Sequence, residues 1–469
     1  MDKIKTLDLN SDIIKKASAK IRSFLDEIID ENSLVETDVF LAGRNFLDGT
    51  EALGEGVITG YAAINDNPVY LFAQNSEVLS GGLSKAQADK ITKNIYSAEK
   101  AGVPFISIID SAGARIGEGI SVGEGYSKII KAANDISGCV PHIAIVKGNA
   151  VGMMSVYLKL ADFVFAAEDA KLSVNSPVVV AAASKAKPEA MSAKAISENT
   201  NNISCLYKTN AELKEKLAEL LELLPSNDGY IAAGDYSDDI NREAPELNEN
   251  ASAESLFTSV ADGGKYFEVY KDFAKEVKCA LAKVAGITTA FIAFDKNANK
   301  FITLNGIKKA SRFIYTVSSF NIPQINFVDN KGIEPSLSDE YNGLAESASE
   351  LMTNVALSEN VKISVITGNA IGYAYSAFAS KNIGYDYTFA TVDAVISPVN
   401  PEVATVLLYD EELKKSAEPV KKREELNKKY AEESANPYIA AKGGYVDNII
   451  EPSLIRPYVI SVLLMLVNA

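Results

Sequence analysis

The two halves of this 469-residue chain carry the same run of motifs in the same order. In the first half a helix-patterned stretch (KAQADKITKNIYSAEKAGVP) leads to an apolar strand, FISIID, and then to the small-residue loop SAGARIGEG. In the second half IKKASRFIYTVSSFNIP leads to QINFVD and then NKGIEPS, so that Pro104 matches Pro323 and Asp110 matches Asp329 at a spacing of 219. The next strand repeats too, as VPHIAIVKGNAVG (140–152) and NVKISVITGNAIG (360–372), with Gly148 and Gly368 spaced by 220. DFVFAAEDAKLS then recurs as DYTFATVDAVIS at an offset of 224. Order and near-constant spacing together indicate an internal duplication. Each copy alternates short apolar strands with amphipathic helices, the pattern of βα units around a buried sheet. The expected fold class is therefore α/β in two tandem domains, 1–225 and 256–469, joined by an acidic connection at 226–255 that is rich in turn formers. A second charged segment, 410–434, reads as a solvated helical excursion in which Pro419 marks a break or a helix start.

Composition narrows the chemistry. Lys and Arg number 46 against 62 Asp and Glu, a formal charge of −16, which disfavours nucleic acid or an anionic membrane surface as the main partner. One histidine and three cysteines could make a four-ligand Cys/His zinc site only if all four were recruited to it, and no metal site is expected. They also weigh against Ser-His-Asp or Cys-His catalysis. His142, after Pro141 and just before a strand, reads as structural. Residues 1–16 are charged and lack the apolar core of a signal peptide, and the longest apolar run, 459–467, is too short to cross a bilayer. A cytoplasmic protein is expected.

In both repeats the strand passes directly into Gly-Asn-Ala-X-Gly. Small residues at a strand end allow a tight turn, and a helix starting there aims its free N–H groups back at the strand end. Such a turn binds an anion or stabilises a developing oxyanion; equally, its glycines serve close helix–strand packing. No dinucleotide GxGxxG and no P-loop lysine is present.

These motifs resemble those of the carboxyltransferase subunits of biotin-dependent acyl-CoA carboxylases and the α subunits of acyl-CoA decarboxylases such as glutaconyl-CoA decarboxylase. DSAGARIGEG (110–119) is similar to that family's D-S-G-G-A-R-I-Q-E-G. GNAVGMMSVYLKLADF (148–163), NIPQINFVDNKGIEPS (321–336), KISVITGNAIGYAYSAFASK (362–381) and the closing GGYVDNIIEPSLIRPYVISVLLML also fall in register. The resemblance runs from about Gly56 to the carboxyl terminus and is interrupted mainly at 180–255.

The resemblance implies two crotonase-type (ClpP-like) ββα superhelix domains. The first would bind acyl-CoA, and the second biotin carried on a separate biotin carboxyl carrier protein. It also implies a dimer or a trimer of dimers, because the site lies between the first domain of one subunit and the second of its neighbour. Biotin carboxylase or membrane decarboxylase subunits are the further partners implied, with membrane docking in the decarboxylase case. Carboxyl transfer between biotin N1 and the α-carbon of a thioester creates two negative oxygens, and two backbone N–H pairs suit them without a histidine. By position the first pair would be Gly152 and Met153, with Ala112, Gly113 and Ala114 shaping the thioester site. The second pair would be Tyr373 and Ala374, preceded by Gly372, with Gly332 in the matching loop. Arg115 would anchor its loop or contact CoA phosphates. Where the family has Gly-Gly this chain has Gly152-Met153 and Gly372-Tyr373, Ser376 replaces an Asp, and VNSPV stands at 174–178. Two alternatives follow from those departures: a non-catalytic CoA- and biotin-binding scaffold, and a crotonase-type hydratase or isomerase using Glu118.

Overall fold

The computed structural model describes residues 3–44, 51–229, 232–234, 236, 238–248 and 251–467. The chain forms two compact units, Met1–Tyr230 and Ile231–Ala469. Each unit is built on one eight-stranded sheet. The first comprises β1 (Val35–Thr37), β2 (Val57–Ile64), β3 (Asn67–Gln74), β4 (Phe105–Ser111), β5 (His142–Val151), β6 (Phe163–Ala167), β7 (Lys171–Ser173) and β8 (Cys205–Tyr207). The order is β1-β2-β3-β4-β5-β6-β8, with β7 pairing the end of β5. The second unit repeats it with β9 (Tyr266–Val269), β10 (Val277–Val284), β11 (Ile287–Phe294), β12 (Gln324–Asn330), β13 (Lys362–Ile371), β14 (Tyr387–Thr391), β15 (Val395–Ser397) and β16 (Asn448–Ile450). In both sheets the first three strands are antiparallel and the rest parallel.

The parallel strands are apolar on both faces because helices cover both. Every residue of β4 is buried, and Phe105, Ile109, Val146 and Tyr157 share a core with Ile91 and Ile95 of the helix Lys85–Ala101. That helix starts where Ser84 accepts the Gln87 N–H and stops at Gly102, whose φ of 65° only glycine adopts readily. The helix Leu304–Ser319 starts the same way on Thr303. In the second core Phe257, Phe291 and Phe327 pack with ring centroids 5.3 and 5.7 Å apart, an aromatic cluster that the first unit does not match ring for ring.

Several segments differ from what the sequence suggests. The resemblance began near Gly56, yet Ile21, Phe24, Leu25 and Ile28 of the helix Ala19–Ile28 are buried. Those four recur at helical spacing, so the amino-terminal segment is part of the packed unit. The acidic stretch 226–255 is also partly structural: Asn227 donates to the Gly102 carbonyl at 3.0 Å in the first unit, and Ala244 and Leu247 are buried in the second core. Residues 410–434 form two helices, Asp410–Lys415 and Pro419–Ser434, with Pro419 in the first turn and Leu426 as the one buried residue. His142 is buried with Nε2 2.8 Å from Ser107 Oγ, and its N–H donates to Asp162, a structural setting. No helix among the described residues is long and apolar enough to cross a membrane.

Candidate active site

Both candidate sites sit where parallel strands end. In β4 and β12 the ladder slips in register between Ile109 and Ser111 and between Val328 and Asn330, so that Asp110 and Asp329 occupy matching irregularities. Their carboxylates turn toward the neighbouring strand. Asp110 accepts the Asn149 N–H at 2.9 Å and the Ser76 hydroxyl at 2.6 Å. Asp329 accepts the Asn369 N–H at 2.8 Å and its side-chain amide at 2.9 Å, and pairs with Lys296 at 3.1 Å. Burial alone would raise the Asp329 carboxyl, but hydrogen bonds from Asn369 and Lys296 hold it below the usual carboxylate range.

These carboxylates explain the first glycine of the repeated motif. A Cβ on Gly148 would lie 2.3 Å from Asp110 Oδ1, and one on Gly368 2.3 Å from Asp329 Cγ. Gly148 and Gly368 are therefore packing glycines.

The second glycine of the motif has a different job. Gly152 (φ 70°, ψ −137°) and Gly372 (φ 53°, ψ −113°) turn the chain from strand into the short helices Met153–Leu158 and Tyr373–Phe378. Each spends its own N–H on a neighbouring short strand: Gly152 donates to Ser173 at 3.0 Å and Gly372 to Ser397 at 2.9 Å. The expected donor pair Gly152 and Met153 is corrected on this point, because the Gly152 N–H is already engaged. At the two turns, the N–H groups of Met153 and Met154 in one unit and of Tyr373, Ala374 and Tyr375 in the other meet no acceptor among the described residues. Met153 and Met154, like Tyr373 and Ala374, are the first two amides of their helix, where no intrahelical carbonyl is in place to receive them.

The side chains that replace the expected glycines do not cross these amides. The Tyr373 hydroxyl donates to the Ala348 carbonyl at 2.9 Å, its ring stands edge-on to Phe378, and burial pushes its ionisation up. Met153 remains 41% exposed. Beside the second turn lies a cleft of about 440 Å³ lined by Gly372, Tyr375, Ser376, Ser397, Pro398 and Tyr445.

The flanking loops complete each site. Ala112 donates to Ser80 at 3.0 Å, Gly113 (φ 118°) receives the Leu83 N–H at 2.8 Å, and Arg115 donates its N–H to Leu83 at 3.0 Å. In the second unit Gly332 (φ 97°) receives the Ile302 N–H at 2.9 Å, and Glu334 donates to Ile302 at 2.9 Å. A Cβ on Gly113 would lie 3.8 Å from the Val151 carbonyl, and one on Gly332 3.2 Å from that of Ile371. In both units, then, the loop glycine adjoins the last strand residue before the turn. Within the first unit the structure brings Ala112, Gly113, Ala114, Gly152 and Met153 to one strand end, and within the second Gly332, Gly372, Tyr373, Ala374 and Ser376 to the other.

Arg115 points away from solvent into an ion pair with Glu55 (2.5 Å), and its side chain is 11% exposed. Glu118, the carboxylate that a hydratase reading requires, accepts the Lys85 N–H at 2.9 Å. Sequence reasoning missed three contributors: Ser173 and Ser397, which lie a strand away, and Glu55, which lies outside the motifs. The shared DA-x-x-S ending was the only signal for the serines.

The carboxyl transferase domain family matches residues 15–469. The propionyl-CoA carboxylase carboxyltransferase subunit of Haloferax mediterranei is 31% identical over 96% of this chain and 91% of its own. Methylmalonyl-CoA decarboxylase subunit alpha of Veillonella parvula is 32% identical over 95% of this chain and 90% of its own. Among solved structures, the transcarboxylase 12S hexamer with methylmalonyl-coenzyme A and methylmalonic acid bound superimposes with a TM-score of 0.93 at 26% identity, covering 99% of this chain and 95% of that one.

Proposed function

This chain belongs to the carboxyl transferase domain family, and from that premise we propose that its two amide cradles hold the two oxyanions of carboxyl transfer. It is a biotin-dependent acyl-CoA carboxyltransferase of the kind found in acyl-CoA carboxylase and decarboxylase complexes, built as a tandem crotonase-type α/β fold. We assign propionyl-CoA and methylmalonyl-CoA as its substrate pair. The relatives support this, since a propionyl-CoA carboxylase and a methylmalonyl-CoA decarboxylase work on opposite ends of one interconversion.

The Met153 and Met154 amides would face the thioester oxygen as it gains charge at the enolate stage. Ala112, Gly113 and Ala114 would form the adjoining wall. Fixed N–H dipoles in a water-poor site stabilise such an oxyanion without having to reorient during the reaction. In the second unit the Tyr373 and Ala374 amides would face the ureido oxygen of biotin. The cleft lined by Gly372, Tyr375 and Ser376 is roomy enough and polar at one edge, which fits a bicyclic urea. Biotin, when bound, supplies the ureido nitrogen that carries or accepts the carboxyl group. No histidine, and no carboxylate free of a structural partner, is needed for either task. A biotin carboxyl carrier protein and a second copy of this chain are the partners we assign, with the two domains dividing the substrates as 1–225 for acyl-CoA and 256–469 for biotin.

The observation that carries this reading is that the first two residues after the same turn have unmatched N–H groups in both units. The purified protein, given methylmalonyl-CoA and free biotin, should release carbon dioxide and form propionyl-CoA. Absence of turnover with methylmalonyl-, malonyl- and glutaconyl-CoA would overturn it. Calorimetric binding of those esters without turnover would instead favour a scaffold.

A further inference from the structure

We infer that Glu55 is a positioning residue for the first cradle, acting through Arg115 on the loop that carries Gly113 and Ala114. Glu55 is completely buried and has φ 57° and ψ 16°, a left-handed conformation that is unfavourable for any residue with a Cβ. A strained buried acid persists only where its surroundings over-determine it. Here they do. Its carboxylate accepts the Gly43 N–H, the Ser84 hydroxyl at 2.6 Å and Arg115 Nη1 at 2.5 Å. Its carbonyl accepts Arg115 Nη2 at 2.8 Å and the Gln87 side-chain amide at 3.1 Å. Arg115 Nε then reaches the Gly82 carbonyl at 3.0 Å. From the other side Lys90 braces the same turn by donating to the Val57 carbonyl at 2.7 Å.

The clamp ends one residue from Ala114 and two from Gly113, which adjoins Val151 just before the turn to Met153. A guanidinium held at three nitrogens fixes its own backbone, and with it the loop.

The second unit lacks this device. Glu334 stands where Arg115 does, its N–H donating to the Ile302 carbonyl as that of Arg115 does to Leu83. A carboxylate still meets the helix cap there, with Glu276 accepting the Thr303 hydroxyl at 2.5 Å, but no cation pairs with Glu276 among the described residues. The clamp therefore serves one cradle, and its loss should separate the two substrates kinetically.

The inference rests on the reading of the first cradle as the thioester site, and the experiment keeps the two apart. In the intact oligomer Glu55→Gln should lower kcat/KM for methylmalonyl-CoA by about tenfold or more, and leave KM for free biotin within about twofold. Arg115→Lys, which keeps the charge and loses the fork, should fall between the variant and the parent. Unchanged constants for both substrates, or equal changes in both, would overturn the inference. If Glu55→Gln fails to fold, Arg115→Lys decides by the same criteria. If the parent protein turns nothing over, the thioester reading fails by itself. Calorimetric affinity for methylmalonyl-CoA then decides the positioning role, with at least a tenfold loss expected in Glu55→Gln and equal affinity overturning it.

Discussion

The two units trace one backbone path and hold it by different means. At the first cradle the loop is tied by charge: Glu55, Arg115 and Ser84 form a buried knot, and Gly152 has open space where a Cβ would be. At the second the loop is tied by contact. A Cβ on Gly372 would lie 2.9 Å from the Pro398 carbonyl, and Tyr373 is pinned to Ala348. What stays constant is what a duplicated fold must keep, namely the carboxylate at the strand irregularity, the packing glycine and the glycine turn. What diverges is the support around them. The difference teaches that the turn geometry is the shared property, and that the support around it is free to differ between the units.

The comparison breaks most sharply if the donors themselves are removed. Proline at a first helical position has no N–H yet fits the helix, and the glycine before it tolerates the added restriction. Met153→Pro and Tyr373→Pro should each lower kcat by about 10²–10³-fold with an unchanged circular dichroism spectrum, as loss of one oxyanion donor does. Full activity in either variant would remove that cradle from the reaction.

Next in size is the packing glycine. Gly148→Ala and Gly368→Ala both force a methyl group onto a carboxylate and should each destabilise by about 3 kcal/mol, measured by denaturant titration. A large effect in only one would show that the two strand ends are not equivalent.

Acid should then separate the units. Hydrogen bonding from Arg242 holds the Asp238 carboxyl down at about 2, with Arg456 adding to the effect. A carboxyl depressed in the folded state contributes stability above its unfolded value near 4, and that contribution is lost as pH falls from about 4 to 2. It belongs to the second unit, where Arg456 also pairs with Asp262 at 2.9 Å. Asp238→Asn should flatten the acid limb of a stability–pH curve followed on a second-unit probe and leave a first-unit probe unchanged.

The smallest test concerns the turns. Gly152→Ala meets only backbone strain, whereas Gly372→Ala adds a contact with Pro398 and should cost about 1 kcal/mol more in thermal unfolding.

The duplication was legible because a repeated order of strands, loops and glycines survives in sequence even when helix faces drift. The turns were legible for the same reason, and Asp110 and Asp329 could be aligned before their role was known. The identity of the donors was only partly legible. Which N–H a glycine turn leaves free depends on whether a short strand comes back to take it, and Ser173 returns from 21 residues away. Aligned against its own repeat, Met153 matches Tyr373 and Met154 matches Ala374, so the duplication itself held the better register. Glu55 was illegible, since a buried acid outside any motif looks like any other surface charge until its partners are placed. The amino-terminal helix was missed because its apolar spacing is short and interrupted by Asp26 and Glu27.

Finally, the unmatched donors are peptide groups, and this has a consequence for inheritance. A mutation that exchanges Met153 or Tyr373 for nearly any other residue leaves the N–H in place. Alanine scanning would leave both N–H donors in place and so would not reveal them. Drift is free to try new side chains there, so descendants of one duplicated ancestor can reshape the mouth of each site without losing what the site does.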